Sequence, residues 1–333
     1  MACTISKNLL ARVSRDPAML IYLDGSANKK AHPNENYAHE IMELFTTGLG
    51  AYSERDVQEG ARAFTGWHIK DDAFAFNAAE HDAGDKSFLG HTGPLDGTDI
   101  IQILAEHPAT AERLTRRLFA FFVYDDPEPT VLAPFVAKWK ATKGDVREVL
   151  RAMFLSPAFS SDKAYRARIK SPAEYVIGAI RSLGGTIAPR QVVGLMARMG
   201  QDLFNPPSVK GWDGGLAWIS SSTLFERFNF AASITTARGP IGTSHVDPAA
   251  AFDGLEPTTS KQMIDLAARH LLDGRLAPAA HDAILAYLGI RDPQGPKDGK
   301  GRLLAPLEDP RAFDEKARGL LHLMLATPEY QLS

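Results

Sequence analysis

Two groups of ionisable residues stand close enough in the sequence to do chemistry together. The first is Glu40, Glu43 and Asp56. On a helix beginning near Asn34, each residue turns about 100° from the last, so Asn36, Glu40, Glu43 and Thr47 form one polar stripe beside an apolar face. A carboxylate at such a border is partly desolvated, which raises its pKa towards values useful for general acid–base work. The same position suits an ion pair. Either Glu40 with Arg62, on the next predicted helix, or Glu43 with a basic neighbour is expected to bridge the two helices as a buried pair. Asp56 also has a purely structural reading, because it stands three residues after Ser53, where a carboxylate closes a capping box.

The second group is His81 and Asp82, with Lys86 nearby and His68 and His91 on either side. Imidazole beside carboxylate suits a divalent metal, or a histidine held by an aspartate for general base catalysis. The spacing matches no standard zinc signature, and a loop pinned by His–Asp hydrogen bonds is the competing reading. The loop is expected to fold back over the Asn34 helix and bring His81 to Glu40 or Glu43. Trp67, Trp212 and Trp218 lie in or beside glycine-rich segments. There an indole either stacks on a sugar ring or plugs the end of a helical bundle. With Lys86 they are the candidate substrate contacts. The sequence holds no phosphate loop, nucleophile elbow or dinucleotide fingerprint.

Helices must position nearly all of these residues. Asp16-Pro17 starts a short helix, and Asn34 starts one that runs to Gly48 or Gly50, with Tyr37, Ile41, Leu44 and Phe45 at helical spacing. Ser53-Glu-Arg-Asp56 opens the next, with Val57, Ala61 and Phe64 inward, so the two form an antiparallel pair. From Trp67 to Gly93 the helical period disappears. Alternation at Phe74-Ala-Phe76 and Ser87-Phe88-Leu89 predicts a small β-hairpin or irregular insertion there. Such a long irregular stretch is where function tends to sit. Helix punctuation then recurs to the end of the chain. It is interrupted at 205–222 and at a Gly/Pro/Lys/Asp loop over 289–301, the place predicted for proteolytic nicking. The expected fold is all-α: a multi-helix globular domain over 1–333, with two lobes, 1–160 and 161–333, as the other arrangement.

Composition narrows the classes of function. Lys+Arg total 37 against Asp+Glu 40, a net charge of −3, which lacks the basic footprint of a nucleic-acid binder. Cys3 is the only cysteine, so an intrachain disulfide, a thiolate metal cluster and a CxxCH haem site are excluded. No apolar run reaches the length of a membrane span. The start, Met-Ala-Cys-Thr-Ile-Ser-Lys, has no signal-peptide core, so the chain as written is expected to be cytoplasmic.

Several long motifs carry a resemblance. His32-Pro-Asn-Glu-Asn-Tyr-Ala-His-Glu40-Ile-Met-Glu43-Leu-Phe-Thr-Thr-Gly48 is followed by Tyr52-Ser-Glu-Arg-Asp56 and Arg62-Ala-Phe-Thr-Gly66-Trp67. In order come His81-Asp82-Ala-Gly84-Asp-Lys86, His107-Pro108-Ala-Thr-Ala111, Lys170-Ser-Pro172, Pro206-Pro-Ser-Val-Lys210-Gly211-Trp212 and Thr327-Pro328-Glu329-Tyr330-Gln331. Together they resemble a large bacterial family known as domain of unknown function 1800. Members usually begin upstream, with an export signal and a further helical region, and carry Arg where His39 stands here. The resemblance implies a periplasmic or secreted setting for typical full-length members. It also implies a sulfatase- or phosphatase-like partner encoded nearby. Two functions are carried forward: a binding or assembly module of an exported pathway, and a hydrolase acting on a glycan or other exported polymer through the carboxylate and histidine residues.

Overall fold

A computed structural model describes residues 6–239, 244–252, 255, 257, 259–290 and 310–333. The chain divides into two compact units, Met1–Tyr165 and Arg166–Ser333. Helix dominates both, and the only sheet among the described residues is a pair of two-stranded antiparallel hairpins in the first unit. No helix is long and apolar enough to cross a membrane, among the described residues. The predicted loop over 289–301 lies, from residue 291 on, outside them.

The first unit contains α1 (Ser6–Ser14), α2 (Pro17–Tyr22), α3 (Glu35–Glu40) and α4 (Glu54–Phe64). Local side chains set their starts. The Asp16 carboxylate accepts from Ala18 N–H, Asn34 accepts from Asn36 N–H, and Ser53 with Asp56 forms a complete capping box. α3 runs on into a single π-helical turn, Ile41–Phe45, and the chain then reverses through Gly48 at φ +79°. α3 and α4 approach closely where Ala38 meets Gly60: a β-carbon built on Gly60 would lie 3.4 Å from that of Ala38 and 3.2 Å from the Phe88 ring.

After α4 come β1 (Trp67–Lys70), β2 (Ala73–Phe76), β3 (Lys86–Phe88) and β4 (His91–Gly93). Trp67 pairs with Phe76 in one hairpin, Phe88 with His91 in the other. Each closes through two residues with positive φ, Asp71-Asp72 at +53° and +57° and Leu89-Gly90 at +46° and +83°. Both turns therefore have the twist that matches paired strands. The helices α5 (Gly97–Glu106), α6 (Pro108–Phe122), α7 (Pro129–Ala141) and α8 (Val146–Phe154) complete the unit. Its core centres on an aromatic series in which Tyr37, Phe64, Trp67 and Phe74 meet edge to face at 4.9, 5.0 and 5.1 Å. Each such contact adds to area burial by about 0.5–1.5 kcal/mol.

The second unit holds α9 (Pro172–Ser182), α10 (Pro189–Arg198), α11 (Ser221–Thr235), α12 (Ser260–Leu272), α13 (Pro278–Ile290) and α14 (Pro310–Leu325). Tyr175, Phe230, Phe252, Met263, Leu321 and Tyr330 are in its core. The chain end pairs back onto the segment before α9, with Lys170 N–H donating to Gln331 O at 2.8 Å and Ser333 N–H to Arg168 O at 2.7 Å.

The first core has no slack at the start of α5. A β-carbon on Gly97 would lie 2.6 Å from Phe64 Cδ1 and from Trp67 Cε2 and Cζ2. Gly97→Ala is expected to destabilise the protein by about 1–3 kcal/mol, the usual cost of overpacking a filled core. Denaturant unfolding measures this, and a variant as stable as the wild type would contradict the packing.

Candidate functional site

Arg62, on the last turn of α4, organises the loop that carries His81 and Asp82. Its Nε donates to Asp82 Oδ2 at 2.8 Å, and its Nη1 donates to Glu59 Oε2 at 2.8 Å and to Asp85 O at 3.2 Å. The same Glu59 oxygen accepts from Ser87 N–H at 3.1 Å, which ties β3 to α4. Asp82 Oδ1 accepts from Gly84 N–H at 2.9 Å. The hydrogen bond from Arg62 holds the Asp82 carboxyl below the usual carboxylate range, against the opposing effect of burial. Lys86 is 2% exposed and donates to Asp82 O and Gly84 O at 2.6 and 2.9 Å. Burial lowers its pKa and the charge of Asp82 partly offsets that.

His81 and Asp56 serve the same loop. His81 Nδ1 lies 2.8 Å from Thr65 O, a carbonyl that only accepts, so this nitrogen carries the proton. The ring meets Phe76 edge to face at 5.2 Å. Asp56 closes the capping box with one oxygen and accepts from Leu89 N–H at 2.8 Å with the other. Burial pushes its pKa up, but the bonds from Ser53 and Leu89 outweigh it and the net shift is downward. The carboxylates of Asp56 and Asp82 therefore hold backbone in place.

The expected approach of His81 to Glu40 or Glu43 does not occur. His81 sits against Thr65, just past the C-terminal end of α4, whereas Glu40 and Glu43 lie by Tyr52, just before its N-terminal end. Eleven helical residues separate the two ends, about 16 Å at 1.5 Å per residue. The loop is drawn to its own place by Phe88, fully buried against Gly60, and by Trp67 in the aromatic series. The expected Glu40–Arg62 ion pair is likewise replaced, because Arg62 is committed to Glu59 and Asp82. His81 and Asp82 do not converge as metal ligands, and no group of three or more His, Cys, Asp or Glu among the described residues could hold a metal ion. Trp67, 4% exposed, and Lys86, 2% exposed, present no face to a substrate. Both were candidates for contact, and the core has taken them.

Glu40 and Glu43 belong to a different polar nook at the π-helical turn. Glu43 Oε2 lies 3.2 Å from His39 Nε2. Arg117 Nη1 donates to Leu44 O at 3.2 Å, and Arg113 Nη1 to Thr46 O at 3.5 Å, so two cations from α6 cap carbonyls that the turn leaves free. Gly48 beside them adopts φ +79°, a conformation that L side chains rarely take. Glu40 makes no ion pair among the described residues. The Tyr52 hydroxyl is buried with no hydrogen-bond partner among them. Burial raises its pKa, and the charges of Glu43, Glu40 and Glu54 raise it further, while Arg113 acts against them. Carboxylate, phenol and guanidinium together can hold a polar ligand or move a proton. Tyr52, Arg113 and Arg117 were not among the sequence candidates. The one signal was the cationic pair four residues apart on the 109–124 helix.

In the second unit, Trp218 is 8% exposed and Trp212 half-buried. The irregular segment around them carries Phe204 at φ +63° and 99% exposed, and Leu216 at 81%. Lys210 is paired with Asp213 at 2.6 Å.

If Arg62 and Asp82 hold the loop, Asp82→Asn costs about 1.5–3 kcal/mol at neutral pH, the range for a hydrogen bond to a charged group. The Asp82 pKa is depressed on folding, so its contribution is present above the unfolded carboxylate range and fades as pH falls through the depressed value. Unfolding free energies of both proteins against pH should therefore converge in acid. A gap that is absent at neutral pH, or constant with pH, would contradict this.

No curated protein matches the chain, and no solved structure does. A match to the family described as protein of unknown function (DUF1800) runs over residues 6–332 and takes in every motif and both units described above. The chain belongs to that family.

Proposed function

We propose that this protein is a binding or assembly module of an exported bacterial pathway, working with a sulfatase- or phosphatase-like partner. One observation carries the reading. Phe121 and Phe122 at the end of α6, Phe154 at the end of α8 and Phe159 beyond it form a series of rings, in contact edge to face at 4.8, 5.2 and 5.2 Å. All four remain exposed, at 54, 37, 40 and 41%, and Leu155 beside Phe154 is 79% exposed. A contiguous apolar patch of this kind marks an interaction surface. Ring-on-ring contact fixes the side chains beforehand, which lowers the entropy cost of docking. The ionisable residues of the 67–93 loop support the same reading, because their hydrogen bonds are used to hold the loop.

A second reading, a hydrolase acting on a glycan or other exported polymer, is favoured by the nook of Glu40, Glu43 and Tyr52. It requires Glu40→Gln with Glu43→Gln to abolish a measurable turnover.

The assembly reading is tested by calorimetric titration against a sulfatase- or phosphatase-like protein of the kind that the family resemblance implies. Saturable binding is expected, weakened at least ten-fold by Phe122→Ser with Phe154→Ser while unfolding stability is unchanged. Absence of wild-type binding, or equal affinity of the variant, would overturn it.

A further inference from the structure

On α5, Asp99, Gln102, Ile103 and Glu106 stand at i, i+3, i+4 and i+7, so they share one face over two turns. Beside that face lies a cavity of about 350 Å³, completed by His91 of β4, by Leu95 and by the His107-Pro108 step into α6. Each of these residues keeps surface for a ligand: His91, Asp99, Gln102, Glu106 and Pro108 are exposed, and Leu95, Ile103 and His107 are half-buried. The polar groups also have bonding capacity to spare. The side chains of His91 and Gln102 make no hydrogen bond or ion pair among the described residues. Asp99 accepts from Asp96 N–H at 2.9 Å through Oδ2 and keeps Oδ1 unused among them. Glu106 meets Lys7 through one oxygen, at 3.5 Å. His107 Nδ1 accepts from Ala109 N–H at 3.2 Å, so the neutral ring carries its proton on Nε2 and offers a donor. Burial holds the His107 pKa below the usual imidazole value, which keeps the ring neutral at pH 7.

A cavity of this volume is in the range of small-molecule sites. The lining decides which molecule. A wholly apolar ligand would desolvate five polar side chains and give them no partner, which is costly. An anion would face the Asp99 and Glu106 carboxylates. A cation would find Lys7 already on Glu106 and a donor, not an acceptor, on His107. The imidazoles and carboxylates do not gather as metal ligands. A hydroxyl both donates and accepts, so it pairs with carboxylate, amide and imidazole alike. Leu95, Ile103 and Pro108 add an apolar surface that suits the C–H face of a sugar ring. We propose that this cavity binds a neutral sugar residue, its hydroxyls paired with Asp99, Gln102, Glu106 and the two imidazoles and its C–H face on Leu95, Ile103 and Pro108. The site shares no residue with the nook of Glu40 and Tyr52 or with the exposed phenylalanine series, and it does not depend on either.

The test is a titration of the full chain with methyl glucoside, methyl galactoside, methyl mannoside and N-acetylglucosamine, followed by the ring-proton NMR signals of His91 and His107. Putrescine and inorganic phosphate are the charged counterparts. Both histidine signals should move saturably with at least one sugar, and the sugar that responds identifies the class. Putrescine and phosphate should bind at least ten-fold more weakly. Gln102→Ala with Glu106→Ala, both exposed positions, should weaken sugar binding at least ten-fold with circular dichroism unchanged. Glu40→Gln with Glu43→Gln, and Phe122→Ser with Phe154→Ser, should bind the sugar as the wild type does, which separates this site from the two readings above. No saturable movement with any of the sugars, putrescine or phosphate binding as tightly, or indifference to the Gln102 and Glu106 substitutions would each overturn the proposal.

Discussion

The Arg62 guanidinium bonds to Glu59 on its own helix and to Asp82 on the loop, and the geometry of the first unit hangs on those two contacts, both at 2.8 Å. Glu59 is one turn back and fixes the arginine's direction. Asp82 is twenty residues on and takes the free arm. Charge-assisted bonds of this kind are roughly twice as strong as neutral ones and impose geometry as well as attraction. Once Asp82 is fixed, its carbonyl and that of Gly84 make a seat for the Lys86 ammonium, which is buried and would otherwise be costly. Ser87 N–H and Leu89 N–H then find Glu59 and Asp56. The second hairpin is thus fastened to α4 by acids from two successive turns of the helix, Asp56 and Glu59, and by Asp82 of the loop, and the ionisable residues that resemble a catalytic group are the fastening.

The second unit solves a related problem with rings, carbonyls and an amide. Arg227 is fully buried, stacked over Tyr175 at 4.9 Å, with Lys170 O at 2.8 Å and Gln331 Oε1 at 3.2 Å as acceptors. Lys170 sits 3.7 Å over the Tyr330 ring, and burial lowers its pKa to about 8. Two cations are therefore held by two rings, carbonyls and an amide, all drawn from the segment before α9, from α9 itself and from the chain end. This explains physically why Lys170-Ser-Pro172 and Thr327-Pro328-Glu329-Tyr330-Gln331, far apart in sequence, both stand out as motifs.

Capping and turn chemistry were legible because they act over two or three residues. Asn34 and Ser53 with Asp56 mark their helix starts plainly, and the break in period at Trp67 marks the β insertion. Partner choice was not legible. Whether Arg62 turns to Glu40 or to Asp82 depends on which end of α4 the loop covers, and that is decided by Phe88 packing on Gly60, a contact that no spacing rule foretells. The π-helical turn escaped for another reason: one extra residue per turn leaves the apolar pattern of Ile41, Leu44 and Phe45 unchanged while redirecting Glu43 and the chain towards Arg113. Tryptophan and lysine in the loop looked available because residue type says nothing of depth.

That Arg62 holds the loop as structure is tested most directly by hydrogen exchange read residue by residue in Arg62→Met, which keeps the apolar stem and removes the fork. Protection of the Ser87 and Leu89 amides, and of the β3–β4 hairpin bonds, should fall at least ten-fold, while amides in α6 and α7 keep their wild-type rates. Unchanged protection across residues 81–93 would contradict the account and return His81 and Asp82 to the list of groups free for chemistry.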